Sequence, residues 1–420
     1  MVDQLQEVIV LFEEIKETFE TQDSMLDLVK VVTPEEAKLQ NGDNTVWYPV
    51  EQQRAVQKVW DTSSTEQDII KEGFPCSLDS APDTDVVTQR IDDLRNDIFM
   101  KEAIVASGKK LTSNLNSSIA AKIKAEGSLF IRATDTSGFD FATRAQALMD
   151  ERQLAETERY FLMNPTDART FGSELAGRET ITGRSEDAWK KGYIAADVAG
   201  FDIMKGNFLP NITGGASPDT TVTGAQSFEP EGYKSSVNVD YRTATVVVVA
   251  SANYAVGDKV TFENAGTPVY ALGKDDKTVT TSPMSFTVKS KPSGTTLEIY
   301  PKPIALDDAA LTTLQKGYAN IDTQIGNAAV VVRQNVDASN QTNLFWDKSA
   351  VQVMGGSFPI EKFKEGGNRV VGDTLSNGLE MYLVYFVNPS ASTVSYKIYL
   401  WYGITIGNPA NCGVAVTYSA

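Results

Sequence analysis

The feature that most constrains this chain is a long apolar repeat between residues 88 and 126. Apolar residues recur there every three or four positions: Ile91, Leu94, Ile98, Val105, Leu111, Leu115, Ile119 and Ile123. This spacing puts them on one face of an α-helix that Gly127 ends. At 1.5 Å per residue the predicted helix is roughly 55 Å long, more than the width of an average domain. Because the heptads are not strict, the pattern favours a spine for other elements over a coiled coil.

Residues 220–345 carry a strand pattern instead. Runs of β-branched residues at 237–250, 257–263, 284–289 and 295–300 alternate with turns. This spacing predicts a small antiparallel β-barrel or sandwich. More helical sequence flanks it on both sides, which is typical of a domain inserted into a loop of another domain. Residues 346–420 return to strand-rich sequence, with buried strands predicted at 381–387 and 394–402.

The N-terminal fifth of the chain combines a helical segment with a long loop. Residues 3–31 read as an amphipathic helix or helix pair whose opposite face is acidic. The segment is either an arm that packs on another molecule or an ordinary first helix. Residues 41–80 predict a long loop or β-hairpin that carries Trp47 and Trp60. Exposed tryptophans mark a contact surface, although both could also pack on their own subunit.

The remaining middle segment is predicted as short helices and a linker. Helices are predicted over 143–160 and 185–196, with a turn at 163–165 between them. Residues 211–219 have the composition of a linker. A chain of 420 residues is too long for one hydrophobic core, so we expect two or more domains.

The charge of the chain argues against a nucleic-acid-binding protein. The chain has 55 acidic and 38 basic residues, for a net charge of −17, whereas a nucleic-acid binder needs basic surface to displace counterions from phosphates. Residues 1–80 alone hold 17 acidic and 6 basic residues. This acidic region either meets a basic partner or is a solvated surface.

The residue inventory supports no catalytic or metal chemistry. Histidine is absent, which excludes the histidine-dependent triads and His-ligated zinc. Cys76 and Cys412 are too few for a Cys-rich metal site and favour a reducing compartment. The pairs at 275–276 and 307–308 are predicted to be turn or cap residues, because adjacent side chains diverge. A carboxylate-only hydrolase stays open without support from the spacing. No cofactor, secretory signal or membrane span is predicted, so we expect a soluble protein.

A series of short segments resembles one family in order along the chain. They are 44–52 (NTVWYPVEQ), 92–95 (DDLR), 198–202 (VAGFD), 222–228 (VTGAQSF), 237–240 (VNVD), 301–308 (PKPIALDD), 342–346 (TNLFW) and 400–403 (LWYG). Together they are similar to the major capsid (coat) proteins of short-tailed enteric bacteriophages of the lederbergvirus group. No single segment is a mechanistic motif, but the ordered series is specific.

The resemblance implies an α+β tailed-phage and herpesvirus major-capsid fold with an inserted all-β Ig-like domain. The implied parts are an N-terminal arm (1–40), an extended loop (41–80), a peripheral domain with the spine helix (81–135), an axial domain (136–218 and 342–420) and the inserted domain (219–341). The second axial segment includes return strands to the peripheral domain. These parts correspond to the arm, loop, spine and β insertion inferred from the residues alone.

The resemblance also implies a non-enzymatic function and a set of partners. In the family, the coat protein forms hexamers and pentamers and assembles with a scaffolding protein. The procapsid shell, which has a portal protein at one vertex, expands as it encloses double-stranded DNA. This implies a protein of the virion capsid that is assembled in the bacterial cytoplasm, with no membrane partner. An adhesin with an Ig-like module is the alternative outside the capsid class.

The expected assembly contacts lie in three places. In the arm they are Phe12, Glu13, Glu14 and Glu17, where the acidic face would meet the basic helical end of a scaffold. In the extended loop they are Trp47, Tyr48, Pro49, Val50 and Trp60. In the inserted domain they are Glu229, Glu231 and Lys234, within a stretch that looks shorter than the family's intercapsomer loop.

Overall fold

The computed structural model describes residues 2–21, 25–35, 43–50, 60, 70, 73–90, 97–133, 138–154, 156–178, 193–214, 219–232, 239–335, 339–357, 369–388 and 390–417. Within these ranges the α-helices are α1 (Val2–Thr21), α2 (Asp97–Glu126), α3 (Gly138–Glu151) and α4 (Pro165–Arg178). The chain divides into two compact units. Unit 1 comprises Met1–Val46, Pro75–Ile119 and Val351–Thr405, and unit 2 comprises Trp47–Phe74, Ala120–Ala350 and Ile406–Ala420.

Strands make up most of the remaining regular structure. In chain order they are β1 (Lys30–Val32), β2 (Thr45–Pro49), β3 (Gly73–Ser77), β4 (Asp83–Arg90), β5 (Leu129–Ala133), β6 (Arg159–Met163), β7 (Tyr193–Val198), β8 (Phe201–Lys205), β9 (Asn211–Ile212), β10 (Thr220–Thr221), β11 (Ala244–Val247), β12 (Lys259–Asn264), β13 (Thr267–Pro268), β14 (Tyr270–Leu272), β15 (Val279–Pro283), β16 (Phe286–Ser293), β17 (Thr296–Tyr300), β18 (Val330–Arg333), β19 (Asn340–Asp347), β20 (Val351–Gly355), β21 (Arg369–Thr374), β22 (Glu380–Asn388), β23 (Thr393–Leu400), β24 (Tyr402–Ile406) and β25 (Cys412–Thr417). The strands predicted at 381–387 and 394–402 match β22 and the β23–β24 region.

Unit 1 contains an antiparallel four-stranded sheet in the order β21-β22-β23-β4. Along β4 the side chains alternate between partly buried and exposed, as expected for a strand with one covered face. The helix predicted from residue 88 is therefore wrong for 88–90, where β-branched neighbours and pairing with β23 favour a strand. It is confirmed for 97–126, a length of about 45 Å. Residues 91–96 lie outside the described residues.

Helix α1 packs its apolar face within its own chain. Leu11, Phe12, Ile15 and Phe19 are buried along one side, as a 3.6-residue repeat requires. The helix approaches α2 closely at Gly108, where an added Cβ would lie 3.4 Å from the Ile15 carbonyl oxygen. A 3-10 helix at Met25–Leu28 follows, and Lys30 and Val31 belong to β1, so the helical segment predicted over 3–31 is confirmed for 3–21 and 25–28 and wrong for 30–31, which pair with β20.

Unit 2 contains a mixed sheet in the order β5-β25-β19-β6-β8-β7. Its core is an aromatic cluster in which Phe161 stacks on Phe345 with 6.0 Å between ring centroids, and Phe201 meets both edge-on. Helices α3 and α4 contribute apolar side chains to the same core. The helix predicted over 143–160 ends at Glu151, and 159–160 begin β6. Sheet burial overrides helical spacing there, because every residue of β6 is buried.

The predicted turn at residues 163–165 starts helix α4. The Asn164 side-chain oxygen accepts the backbone N–H groups of Thr166 (3.0 Å) and Asp167 (2.9 Å), and Pro165 occupies the first helical position. The helix predicted over 185–196 is wrong for 193–196, which belong to β7 and pair with β8. Its earlier part lies outside the described residues. In the predicted linker, residues 211–212 form β9 against β19.

The β pattern predicted over 220–345 is confirmed. Strands pair in the order β10-β18-β12-β16-β17-β11, with β13 paired to β12 and a separate β14–β15 hairpin. Their inward side chains form one core that includes Val246, Phe262, Phe286, Leu297 and Val331. Of the predicted run 237–250, residues 239–250 are described, and within them the strand is β11, with an isolated bridge from Val248 to Val222. The predicted bounds of the arm, the extended loop and the peripheral, axial and inserted domains stay a prediction.

The extended loop predicted over 41–80 is described only at its two ends. There β2 and β3 pair as a two-stranded sheet. Tyr48 and Phe74 face each other, with ring centroids 6.0 Å apart. Of residues 51–72, only Trp60 and Ile70 lie within the described ranges.

Candidate assembly surfaces

The acidic arm residues lie on α1 next to an apolar face turned inward. Glu13 and Glu17 are exposed and Glu14 is partly buried, whereas Phe12 is only 2% exposed and packs inside its own chain. Lys16, on the same helix, donates to Asp373 (2.5 Å) and to the Thr374 carbonyl (3.0 Å). These bonds attach the helix to β21, while Glu13 and Glu17 remain exposed.

The aromatic residues of the extended loop differ in their exposure. Trp47, Tyr48 and Val50 are partly buried and Pro49 is exposed. The Trp60 side chain is fully exposed, at 107% of its reference area. A tryptophan is among the side chains that gain most from burial, so an open one marks a surface that a partner can cover.

The predicted contacts of the inserted domain lie beside an ion pair. Glu229 and Glu231 are exposed, and Lys234 lies outside the described residues. The Lys302 ammonium lies 3.2 Å from the Glu231 carboxylate, and the Glu229 carboxylate accepts the Gln315 side-chain amide at 3.5 Å. This loop is thereby tied to the two segments of the inserted domain that carry Lys302 and Gln315.

Sequence reasoning missed a buried cluster of ion-pair, hydrogen-bond and aromatic contacts around Arg242, here called the Arg242 cluster. Its guanidinium donates to both oxygens of Asp240 at 2.9 Å and to the carbonyls of Ile406 (3.0 Å) and Gly407 (2.7 Å). It also lies over the rings of Phe74 (5.0 Å) and Tyr300 (5.1 Å). Burial alone would raise the pKa of Asp240, but the hydrogen bonds and charge of Arg242 hold that pKa below its usual value. The Arg242 cluster connects the segment before β11 to residues 406–407.

Sequence reasoning also missed a set of hydrogen bonds that connects Lys259, on β12, to the end of α2. The Lys259 ammonium is fully buried and donates to the carbonyls of Gly127 (2.5 Å) and Ala125 (3.4 Å) and to the Thr287 hydroxyl (2.8 Å). The last carbonyls of a helix lack intrahelical partners, so a cation satisfies them well. Burial lowers the pKa of Lys259 to about 7. The predicted stop at Gly127 is confirmed, since α2 ends at Glu126.

The paired aspartates have the structural roles predicted for them. Asp307 accepts the Gln324 N–H at 2.7 Å, and Asp308 accepts the Ala310 N–H and the Ser227 hydroxyl. Asp276 accepts the Thr278 N–H at 3.0 Å within a tight turn. Across the described ranges, no group of three or more potential metal-ligating side chains occurs. No helix in those ranges is long and apolar enough to cross a membrane.

Both cysteines are buried thiols. Cys76 and Cys412 are 0% exposed, and neither is in a disulfide. Burial raises the pKa of the Cys412 thiol to about 12, so it is a poor nucleophile at neutral pH.

An N-terminal helix, the paired strands β2 and β3, the long helix α2 and a strand-rich segment over 220–335 agree with the parts expected of a structural coat protein of the tailed-phage type. The fold is accordingly the α+β major-capsid fold. The family model "P22 coat protein - gene protein 5" matches residues 1–417. The chain belongs to this coat protein family and is a structural major capsid protein of a bacteriophage icosahedral shell.

Solved phage capsids are similar at low identity. The capsid of Ralstonia phage GP4 is 9% identical over 95% of this chain and 89% of that chain, with a TM-score of 0.46. The capsid of the cyanophage P-SCSP1u is 11% identical over 95% and 89%, with a TM-score of 0.44. The capsid of Mycobacterium phage Che8 is 10% identical over 94% and 92%, with a TM-score of 0.43. These similarities are weak, and the assignment rests on the family match.

Proposed function

We propose that this coat protein assembles as hexamers and pentamers, together with a scaffolding protein, into a procapsid. The shell has a portal protein at one vertex, expands, and encloses double-stranded DNA without sequence-specific binding. We place the chain in the lederbergvirus group and its assembly in the cytoplasm of a bacterial host. It acts as a structural protein rather than an enzyme. The observation that carries the proposal is the family match over residues 1–417.

The charge of the chain suits a container for DNA. A net charge of −17 weakly repels packaged phosphates, and a shell lining gains nothing by adhering to its contents. Each stable contact in such a shell buries about 1,200–2,000 Å² in total. Arms and loops that reach onto neighbours supply this area without a larger core in each subunit.

The extended loop is the first proposed contact between subunits. Trp60 is its anchor, because this exposed tryptophan would gain most from burial against a neighbour. Trp47, Tyr48 and Pro49 belong to β2, and Val50 follows this strand where the loop departs. The second proposed contact is the inserted-domain loop with Glu229, Glu231 and Lys234, which faces a neighbouring capsomer.

The third proposed contact is the acidic face of α1 with a basic helix of the scaffolding protein. Glu13, Glu14 and Glu17 lie within one and a half turns of each other on this helix. Phe12 is omitted because its side chain is already buried.

Electron microscopy of negatively stained particles tests assembly. The full-length chain is expressed alone and together with its neighbouring genes. Closed shells of uniform size, or irregular shells that a co-expressed protein makes uniform, are the expected result. A monodisperse subunit that assembles under neither condition contradicts the proposal.

Two variants test the proposed contacts, each with a matched control. Trp60→Ala should abolish closed shells while leaving the subunit folded by circular dichroism. Val256→Ala removes a 61% exposed apolar side chain elsewhere and should assemble normally. Glu13→Lys should weaken scaffold capture in a pull-down, whereas Glu102→Lys reverses an exposed helical charge on α2 and should not. Normal shells from Trp60→Ala, or full scaffold capture by Glu13→Lys, would remove that contact from the proposal.

A further inference from the structure

Unit 2 contains a cavity of about 220 Å³ with a basic lining. Arg152, Arg242, Lys274, Lys277 and Lys302 all line it, and none of the described residues that line it is an aspartate or glutamate. The chain as a whole has more acidic than basic residues. A lining with only positive charge is therefore the opposite of what the composition would produce by chance.

Two of these cations are balanced by ion pairs with acids that do not line the cavity. Arg242 is paired with Asp240, and Lys302 lies 3.2 Å from Glu231. Arg152, at the end of α3, and Lys277, in the turn between β14 and β15, line the same cavity and form no ion pair with a described residue.

Arg152 is a buried cation with unused donors. Its side chain is 4% exposed, and Nη2 donates to the Pro283 carbonyl (2.9 Å) and weakly to the Ser285 hydroxyl (3.5 Å). Its Nε and Nη1 are buried and have no hydrogen-bond partner among the described residues. The adjacent Glu151 carboxylate instead accepts the N–H and hydroxyl of Thr281. A buried charged donor without an acceptor is strongly unfavourable, so an anion bound beside Nε and Nη1 would stabilise this arginine.

Lys277 is a second cation whose charge is not paired. It has no ion pair with a described residue, and its backbone φ of +56° is uncommon for a residue with a Cβ. Burial lowers its pKa, against the opposing effect of Asp275, and Asp276 also acts to raise it. Strained backbone often occurs where a side chain is held for a function.

The hairpin turn is held in place by the end of α3. The Arg152 carbonyl accepts the Lys274 N–H at 3.1 Å. The Gln153 side-chain oxygen accepts the N–H groups of Asp275 (2.9 Å) and Asp276 (3.2 Å). The same short segment thus supplies Arg152 and fixes the turn that carries Lys277, so the two cations are positioned as a set.

We propose that this cavity binds a small multivalent anion of the phosphate class. Its volume exceeds that of one water, about 30 Å³, several-fold, but lies below the roughly 300–1,000 Å³ of pockets for drug-sized ligands. A guanidinium matches two phosphate oxygens at once, and lysines add point charges. Apolar neighbours such as Leu154 and Met284 exclude water and strengthen these interactions. The limited volume favours a free anion, such as phosphate or pyrophosphate, over the backbone of a long nucleic acid.

Isothermal titration calorimetry on the full-length chain tests the proposal. The probes are inorganic phosphate, pyrophosphate, ATP and a short DNA oligonucleotide, each at matched ionic strength in chloride. Saturable binding of pyrophosphate is expected, at least tenfold weaker in Lys277→Met. Lys109→Met removes one exposed charge on α2 and should bind like the unmodified protein. Arg152→Lys keeps the charge but loses the planar guanidinium that can bind two oxygens at once, so it should also bind pyrophosphate more weakly.

Thermal unfolding with the same probes provides a second readout. Phosphate stabilises most folded proteins by exclusion from their surfaces, so only a shift that saturates and disappears in Lys277→Met supports the site. The proposal is overturned if no probe binds saturably, if Lys277→Met binds as tightly as Lys109→Met, or if only the oligonucleotide binds. None of these readouts depends on shell assembly.

Discussion

Removal of the Arg242 side chain should destabilise unit 2 strongly. In Arg242→Met, the Asp240 carboxylate loses two charged hydrogen bonds at 2.9 Å, and the carbonyls of Ile406 and Gly407 lose their donor. The Asp240 side chain is 13% exposed, and its remaining cation, Lys289, is 3.4 Å away. Removing one partner from a buried ion pair costs about 3–5 kcal/mol. We expect a loss in that range.

Urea denaturation of the unassembled subunit measures this loss. Tryptophan fluorescence and circular dichroism are followed together, and the midpoint shift is converted with the slope of each transition. The matched control is Arg144→Met, which breaks an ion pair with Asp140 on the surface of α3 in which Arg144 is 53% exposed. The control should change stability by about 0.5 kcal/mol or less.

A double substitution separates the contribution of the Arg242–Asp240 ion pair from that of the other contacts in the Arg242 cluster. Arg242→Met combined with Asp240→Asn removes the unpaired buried charge, so it should be less destabilised than the sum of the single changes. A loss below about 1 kcal/mol in Arg242→Met, or strict additivity in the double variant, would refute the stabilising role of the Arg242 cluster.

Three further perturbations have defined outcomes. Burial lowers the pKa of Lys259 to about 7 from an unfolded value near 10.5, so the unfolded state binds more protons between these values and stability should rise from pH 7 to pH 9; the urea midpoint of Lys259→Met should rise less, and an equal rise contradicts the assignment. Phe345→Ala should cost about 3–5 kcal/mol in the same assay, because its ring is fully buried in the aromatic core, and a loss below about 1 kcal/mol would show that the core collapses around the gap. Leu111→Pro should abolish soluble expression by breaking α2, whereas Lys109→Ala, at an exposed position of the same helix, should stay soluble; normal assembly of Leu111→Pro contradicts the role of α2 as a spine.

Local periodicity predicted the long elements well. The apolar repeat of α2 extends over so many turns that no other structure can bury it, and Gly127 ends it as expected. The strands of the inserted domain were also predictable, because β-branched runs between turns can bury one face only as paired strands. The helix predicted at its N-terminal end failed at 88–90, where pairing with β23 decided the structure.

The errors in the middle of the chain have one physical cause. Residues 159–160 continue a helical spacing, yet they lie in β6 because β8 and β19, distant in sequence, pair with that strand on either side. A strand buried on both faces has no alternating pattern to reveal it.

The sequence alone determined the coat protein family, the acidic character, the lack of histidine chemistry and the order of the N-terminal helix, the long helix α2 and the strand-rich segment over 220–345. These follow from ordered segments and from spacing along the chain. Only the tertiary structure decided which charges meet. Arg242 reaches the carbonyls of 406–407, Lys259 reaches the end of α2, and Arg152 shares a cavity with Lys277. Such partners are separated by more than a hundred residues, and only the folded backbone, which excludes water around them, makes their electrostatics strong.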